Sequence, residues 1–475
     1  MIDAPTGWIS SVTLAHGGGG AAVAETAEAA PVLPMVVIGL ILAGTFAFIA
    51  FDWLHKTLAA MVGAGLAIIA ALVLGVYHGD RPYEAVHEFI HHDLGVIGVI
   101  VGTSIIVTIA GESGLFHFIA VKLVKLTRGR PSLLLPAIMV ATVGFVTFLT
   151  IAPGVLIMAS LVLVITKALD DDPRPYIIAV AIGANSGALM TFASGIPTLM
   201  IGTSANIPYV HFLIVSSPLA IISAVVAYFV IRFMYRDALQ VVGETTLREA
   251  KVAGFDEWAL VKDRRLFYRC TIILGLTIIG FATAQRLGVG LDFIAFSGAT
   301  LALLFSGFSP EDAIKKVKWT IIIFFAGLFV LIGTVRETGL LEVLAGQIYA
   351  ISGDNMVIAL ALIIPFVFVT AGIVDNIPVA ATMIPVVKTM IAKGLAAEPL
   401  WWSLIAACNL GGNPTPVGSI AAVIALHALE KDRDIKIGWG EYLKIGGVVT
   451  VLQIGLVYGY MLLFRAFDWF PTLEG

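Results

Sequence analysis

The chain has 475 residues, of which 59% are hydrophobic and 13% charged, with a net charge of −4 and a mean hydropathy of +0.99. Soluble domains carry about 25% charged residues, so this chain belongs in a bilayer, and its small net charge argues against nucleic acid as a partner. Cys270 and Cys408 lie in apolar surroundings and leave no disulfide framework. No nucleophile elbow, P-loop or HExxH pattern supports an enzyme or calls for a cofactor.

Residues 1–34 contain no Lys or Arg and include Gly17 to Gly20. They lack the basic start and apolar core of a secretory signal and read as a flexible extracytoplasmic tail. A span needs about 20 apolar residues. The first repeat, 35–235, holds spans at 35–53, 57–77, 95–112, 176–193 and 209–233. His91, His92 and Asp93 precede the third span without a further ligand nearby and read as a solvated loop, so no metal site is expected. Residues 115–127 are amphipathic, with Lys122 and Lys125 opposite Phe116, Ile119 and Leu123, which suits a helix lying flat at the membrane surface. The stretch 132–168 is long enough to enter and return, with Pro153 near its middle where the helical ladder breaks.

A cytoplasmic linker, 236–266, joins the second repeat, 267–465. Its spans fall at 267–285, 290–308, 318–335, 401–417 and 443–464, with a second flat helix at 340–350. A second re-entrant stretch, 355–393, breaks at Pro378, and 466–475 forms a short extracytoplasmic tail. Lys and Arg occupy 54–56, as Lys56, and concentrate in 113–131, 236–266, 309–317 and 430–442, all on one side if every span crosses. The positive-inside rule makes that side cytoplasmic and both chain ends extracytoplasmic in a multi-pass cell-membrane protein.

The halves repeat. Glu112-Ser113-Gly114-Leu115 recurs 225 residues on as Glu337-Thr338-Gly339-Leu340, and Asn185, Gly187 and Thr191 recur 224 on as Asn409, Gly411 and Thr415. Five spans per half invert the second half relative to the first. The fold class is therefore an all-α integral membrane protein, an inverted-repeat transporter whose halves each have five transmembrane helices and one re-entrant hairpin.

Four segments break helical rules inside the apolar stretches. The hairpin tips run from Thr147 to Pro153 and from Val374 to Pro378, and the broken helices from Asn185 to Pro197 and from Asn409 to Pro416. Open backbone there offers carbonyls to cations and half-helix N-termini to anions. The candidate ion- or substrate-binding residues are Thr147, Thr150, Asn185, Ser186, Ser194, Thr198, Asp375, Asn376, Asn409, Gly412, Asn413 and Thr415. Asp375 is the leading proton-coupling candidate, because a carboxylate at membrane depth is costly and usually functional. It also suits an N-cap, and the two roles can coexist. Glu112 and Glu337 are further candidates at span ends, although interfacial snorkelling explains them equally well. Gly114 and Gly339 are candidate hinges.

The stretches Glu112–Arg130, Val374–Val387, Asn409–Gly418 and Glu441–Gly446 resemble the ion-transporter superfamily. The matching branch holds arsenite pumps of the ArsB type, pink-eyed-dilution-type proteins and NhaD-type sodium/proton antiporters. The resemblance, over residues 40–465, implies a ten-span inverted repeat with two hairpins, working as a homodimer. The more distant sodium-coupled dicarboxylate carriers place ions and substrate at hairpin tips and broken helices. The first half departs from the family pattern. Thr150-Ile151 stands where relatives usually have Asp-Asn, and Ser194-Gly195-Ile196-Pro197-Thr198 where they have a Gly-Asp-Pro-Pro-Asn-like run. Two acidic positions are thus replaced, leaving Asp375 as the one clear carboxylate of the core.

The expectation is a secondary active, elevator-type transporter that moves a small inorganic or oxyanion-type solute, arsenite-like compounds included, with protons. The alternatives are sodium/proton antiport and, in another class, an uncoupled channel. The coupling ion is H+ or Na+, and the partners are the solute, the lipid bilayer and a second copy of the chain.

Overall fold

The computed structural model describes residues 32–472, apart from 52, 78–85, 88, 90–93, 193, 241–244 and 318. The tail through residue 31 and the His91-His92-Asp93 run lie outside the described residues. Among the described residues every regular element is helical.

The first half comprises α1 (Val32–Ala50), α2 (Lys56–Val73), α3 (Leu94–Glu112), α4 (Leu115–Leu126), α5 (Pro131–Phe148), α6 (Ile151–Leu169), α7 (Arg174–Met190) and α8 (Ile196–Ser204). It ends on α9 (Tyr209–Met234), which contains a π-helical turn at Phe212–Ser216. After α10 (Thr245–Ala253) come α11 (Arg264–Leu287), α12 (Leu291–Ser306), α13 (Pro310–Lys316), α14 (Trp319–Glu337) and α15 (Leu340–Ser352). The second half then continues with α16 (Met356–Val374), α17 (Asn376–Ala392), α18 (Ala397–Leu410), α19 (Ile420–Arg433) and α20 (Trp439–Ala466). The repeat is visible in the helix bounds. Helix α3 begins at 94 and α14 at 319, and α6 begins at 151 and α17 at 376, both 225 apart.

The surface segments separate from the spans before them for a local reason. Gly114 has φ 80° and ψ 5°, and Gly339 has φ 77° and ψ 7°. A left-handed residue ends one helix and redirects the chain, so α4 and α15 are helices in their own right rather than extensions of α3 and α14.

Among the described residues ten helices are long and apolar enough to cross a membrane, but they are not the ten spans read from the sequence. The set includes both arms of the first hairpin, α5 and α6, and the first arm of the second, α16. It leaves out α12, with 16 residues, and the broken α7 and α18, with 17 and 14. The breaks shorten α7 and α18 below the length of a span, and α8 and α19 continue beyond them. The hairpins break inside the expected tips but ahead of the prolines. The first opens at Leu149-Thr150 and the second at Asp375, so Pro153 and Pro378 sit in the first turn of α6 and α17. There a missing N–H has no intrahelical acceptor to lose, so these prolines start the second arm rather than breaking the helix.

The halves interlock through small residues. Helix α2 presents Ala59, Ala60, Gly63, Ala64, Ala67 and Ala71, and α14 packs on it. A Cβ on Gly327 of α14 would lie 3.0 Å from the backbone carbon of Ala60. In the equivalent contact, α12 packs on α3, and a Cβ on Gly102 would lie 2.6 Å from the backbone carbon of Ala295. Gly102 and Gly327 are 225 apart, so the repeat preserves the contact itself. Small residues of this kind let membrane helices approach closely. Gly102→Leu or Gly327→Leu is expected to cost at least ~1–3 kcal/mol from overpacking. Thermal unfolding in detergent checks this, and an unchanged midpoint for both variants contradicts it.

Candidate functional site

The two hairpins and the two broken helices converge. Helix α19 packs on α6 and α7 of the first half, while α8 packs on α17 and α18 of the second. Each half's short helix thus lodges beside the other half's hairpin. Between them lies a cavity of about 40 Å³, lined by Thr150, Ala152, Ser194, Pro197, Asn376 and Ile420 among others.

Its lining consists of helix starts. The first residues of α6, α8, α17 and α19, namely Ile151, Ile196, Asn376 and Ile420, all face it. A helix start carries about half a positive charge and several backbone N–H groups without intrahelical acceptors. Four such starts around one cavity favour negative charge, and no charged side chain lines it.

Behind the cavity the broken helices are stitched together by amides. Asn185 Nδ2 donates to Asn413 Oδ1 at 2.8 Å and to Ser419 Oγ at 3.1 Å. Asn409 Nδ2 donates to Thr198 Oγ1 and to the Ile405 carbonyl, both at 2.8 Å. Asn185 and Asn409, equivalent by repeat, therefore each reach the start of the other half's short helix. Asn413 Nδ2 donates to Gln453 Oε1 at 2.8 Å, and Gln453 Nε2 donates to the Ser223 carbonyl at 3.4 Å. Asn185, Asn409, Asn413 and Gln453 are fully buried. The Oδ1 atoms of Asn185 and Asn409, and the Ser186 hydroxyl, are buried without a hydrogen-bond partner. Buried polar atoms are usually paired, so these three unpaired ones stand out among the candidate residues.

The remaining candidates hold the backbone. Ser194 Oγ donates to the Ala188 carbonyl at 2.8 Å and also contacts the Thr191 carbonyl. Thr198 Oγ1 donates to the same Ala188 carbonyl at 2.8 Å. Thr147 Oγ1 donates to the Val143 carbonyl at 2.8 Å, while its own carbonyl accepts from Thr191 Oγ1 at 3.1 Å. Thr415 Oγ1 donates to the Gly372 carbonyl at 2.7 Å and ties the second broken helix to α16. Gly412 lies so close to the crossing that a Cβ there would come within 3.3 Å of Asn185 Nδ2. Thr150 flanks α6 at the cavity without a side-chain cap bond.

Asp375 is both a cap and half of an ion pair. Its carboxylate accepts from Ile377 N at 3.4 Å, and its Oδ2 lies 3.7 Å from Lys56 Nζ at the start of α2. Asn376 lines the cavity, whereas Asn413 is turned toward Gln453, so neither it nor the crossing serves Asp375. Lys56 also lies over the Phe324 ring, 5.7 Å from its centre. The Asp375 backbone has φ 121° and ψ 142°. That conformation is close to exclusive to glycine and costs a side-chain residue about 1–3 kcal/mol. Glu112 and Glu337 lie elsewhere, in exposed ion pairs with Lys316 at 2.6 Å and Arg336 at 3.6 Å.

Sequence reasoning missed Lys56, Ser419 and Gln453. Gln453 had a signal, as an amide within the apolar run of α20, whose cost in lipid demands a partner. Lys56 read only as a basic residue of the short cytoplasmic segment 54–56.

The chain is similar to known membrane proteins along most of its length. The model of the citrate transporter family, CitMHS, matches residues 46–407. A 46 kDa membrane protein of Mycobacterium leprae is 28% identical over 88% of this chain and 96% of its own length. An uncharacterized transporter of Synechocystis is 24% identical over 86% of this chain and 93% of its own. The human P protein is 25% identical over 88% of this chain and 59% of its own. Among solved structures, the YdaH transporter of Alcanivorax borkumensis, described as having an unusual topology, superposes with a TM-score of 0.60 at 14% identity, covering 88% of this chain and 99% of that one. With the family match running through most of the helical core, and its relatives named as transporters, the chain is a membrane transporter rather than an enzyme and belongs to the CitMHS family of citrate transporters.

Proposed function

We propose that the protein is a secondary active transporter that moves a small anion together with protons. The observation that carries this reading is the cavity ringed by four helix starts and free of charged side chains. The class of solute includes the oxyanions expected from the sequence and, through the family's description, carboxylates such as citrate. A cavity of about 40 Å³ admits little more than a few waters. A larger anion therefore enters only after the hairpins and short helices part.

The Lys56–Asp375 pair supplies a coupling device. Paired, the two charges cancel beside the cavity. Protonation of Asp375 leaves the Lys56 ammonium uncompensated and makes the surroundings more positive. Anion and proton then favour each other's binding, which is the reciprocity that coupling requires. A second reading, with Na+ as the coupling ion or as the exchanged cation, is favoured by the unpaired oxygens of Asn185 and Asn409.

The packing supports movement of two bodies. The hairpins, broken helices, α9 and α20 pack mainly on one another, and α1 to α3, α11, α12 and α14 pack mainly among themselves. Helices α4 and α15 connect them, each entered through a left-handed glycine. Gly114 and Gly339 are the proposed hinges of an elevator-type motion, with the hairpins re-entering from opposite faces. Assembly as a homodimer through the outer helices is part of the same proposal.

Purified protein in liposomes is expected to take up radiolabelled citrate or an oxyanion such as arsenite when an inward proton gradient is imposed. Sodium efflux driven by the pH gradient, without anion uptake, supports the antiport reading instead. Flux at channel rates without any gradient dependence overturns both.

A further inference from the structure

The span α9 ends in Phe229, Arg232, Phe233 and, just beyond it, Arg236. Together with Ser132 at the start of α5 and Tyr228, these residues line a groove of about 410 Å³ on the outer face of the hairpin body. Phe229 and Phe233 are 60% and 74% exposed at the end of a helix long and apolar enough to span a membrane, a setting that suits contact with lipid acyl chains.

The head of the groove is basic, and among the described residues Arg232 is paired with no carboxylate. Arg232 Nη1 donates to the neutral Tyr228 hydroxyl at 2.6 Å, and the guanidinium lies 5.9 Å from the centre of that ring. Arg236 approaches Asp237 only loosely, at 3.8 Å, with both side chains more than 70% exposed. The start of α5 lies in the same groove and adds backbone N–H groups and the Ser132 hydroxyl. Two guanidiniums, a hydroxyl and a helix start, interleaved with exposed aromatic side chains, match a phosphate joined to acyl chains. The groove also lies at the face on which Lys125, Arg128 and the linker gather.

We propose that this groove is a binding site for an anionic phospholipid, with Arg232 and Arg236 holding the phosphate and Phe229 and Phe233 flanking the acyl chains. It is independent of the solute cavity, and the proposal stands whichever solute is carried. Each basic residue near an anionic headgroup contributes roughly fivefold in affinity, so the two together give about twenty-fivefold.

The test uses the full-length protein in mild detergent, with native mass spectrometry of retained lipid and thermal unfolding as readouts. Wild type is expected to retain phosphatidylglycerol over phosphatidylcholine and to be stabilised by it. The double variant Arg232→Gln/Arg236→Gln should lose that preference while unfolding at the wild-type temperature in phosphatidylcholine. If the double variant misfolds, the two single variants, each expected to lose part of the preference, take its place. Phe233→Ser, tested separately, should weaken retention of the lipid. Wild type without a preference, or variants that keep it in full, overturns the proposal. Glycerol phosphate that stabilises wild type as well as phosphatidylglycerol does, through the same arginines, overturns it in favour of a soluble phosphate.

Discussion

Asp375→Asn is expected to abolish pH-driven transport while the protein still folds and reaches the membrane. Asn caps a helix about as well as Asp, so a purely capping role predicts nearly normal transport. The strained backbone argues for more. A non-glycine residue at φ 121° persists against a cost of about 1–3 kcal/mol, so the carboxylate does something that glycine cannot. The substitution also leaves Lys56 without its partner. With side chains 13% and 27% exposed, the stability loss should fall short of the ~3–5 kcal/mol seen when a fully buried pair is broken. Lys56→Gln added to Asp375→Asn is expected to restore the unfolding temperature without restoring flux. Asp375→Gly relieves the strain and should likewise be inactive. Proton-driven uptake in liposomes, beside thermal unfolding, separates these outcomes. Unchanged pH dependence in Asp375→Asn sinks the coupling role, and the exposed ion pairs of Glu112 and Glu337 make them weak replacements.

Arg248→Ala is expected to be the most destabilising substitution outside the spans, at ~3–5 kcal/mol, because it leaves the buried Asp171 carboxylate unpaired. Arg248 lies in α10, within the linker, and both side chains of the pair are only 4% exposed. Its Nη1 and Nη2 meet Asp171 Oδ1 and Oδ2 at 2.9 and 2.7 Å, and its Nε donates to the Gly129 carbonyl at 2.9 Å. Arg248→Lys cannot reproduce the fork and should rescue little. Replacing both partners, Arg248→Met with Asp171→Leu, should recover much of the loss. Unfolding in denaturant together with limited proteolysis of the linker measures this. A variant within ~0.5 kcal/mol of wild type, the range of an ordinary surface change, contradicts the assignment.

The sequence made the architecture legible because its signals are local or periodic. Apolar runs marked the helices, and the 225-residue offset located the hairpins and the broken helices. It also led to residues that line the cavity, Thr150, Ser194 and Asn376, and to the Asn185 and Asn409 pair behind it. What it could not supply was partnership across the fold. Lys56 and Asp375 are 319 residues apart, and Asn413 turns to Gln453 rather than to the hairpin tip. Proline misled for a physical reason. It breaks a helix from within but is tolerated in the first turn, so Pro153 and Pro378 marked the right turns while misplacing the breaks by a few residues. The linker read as a cytoplasmic connector, and nothing in its local pattern foretold that Arg248 would be buried against a loop 77 residues earlier.

The interlocked halves also constrain how the protein is made. Helix α3 lacks its partner until α12 has been synthesised, and α2 waits for α14. The first half therefore emerges from the ribosome with its small-residue faces uncovered and the Asn185 amide of α7 without Asn413 or Ser419. For a time its only companions are lipid and whatever insertion machinery holds it, a state exposed to misassembly and degradation. A chain ending after α9 should be cleared by quality control rather than accumulate. The two halves expressed as separate polypeptides in one cell should rescue each other.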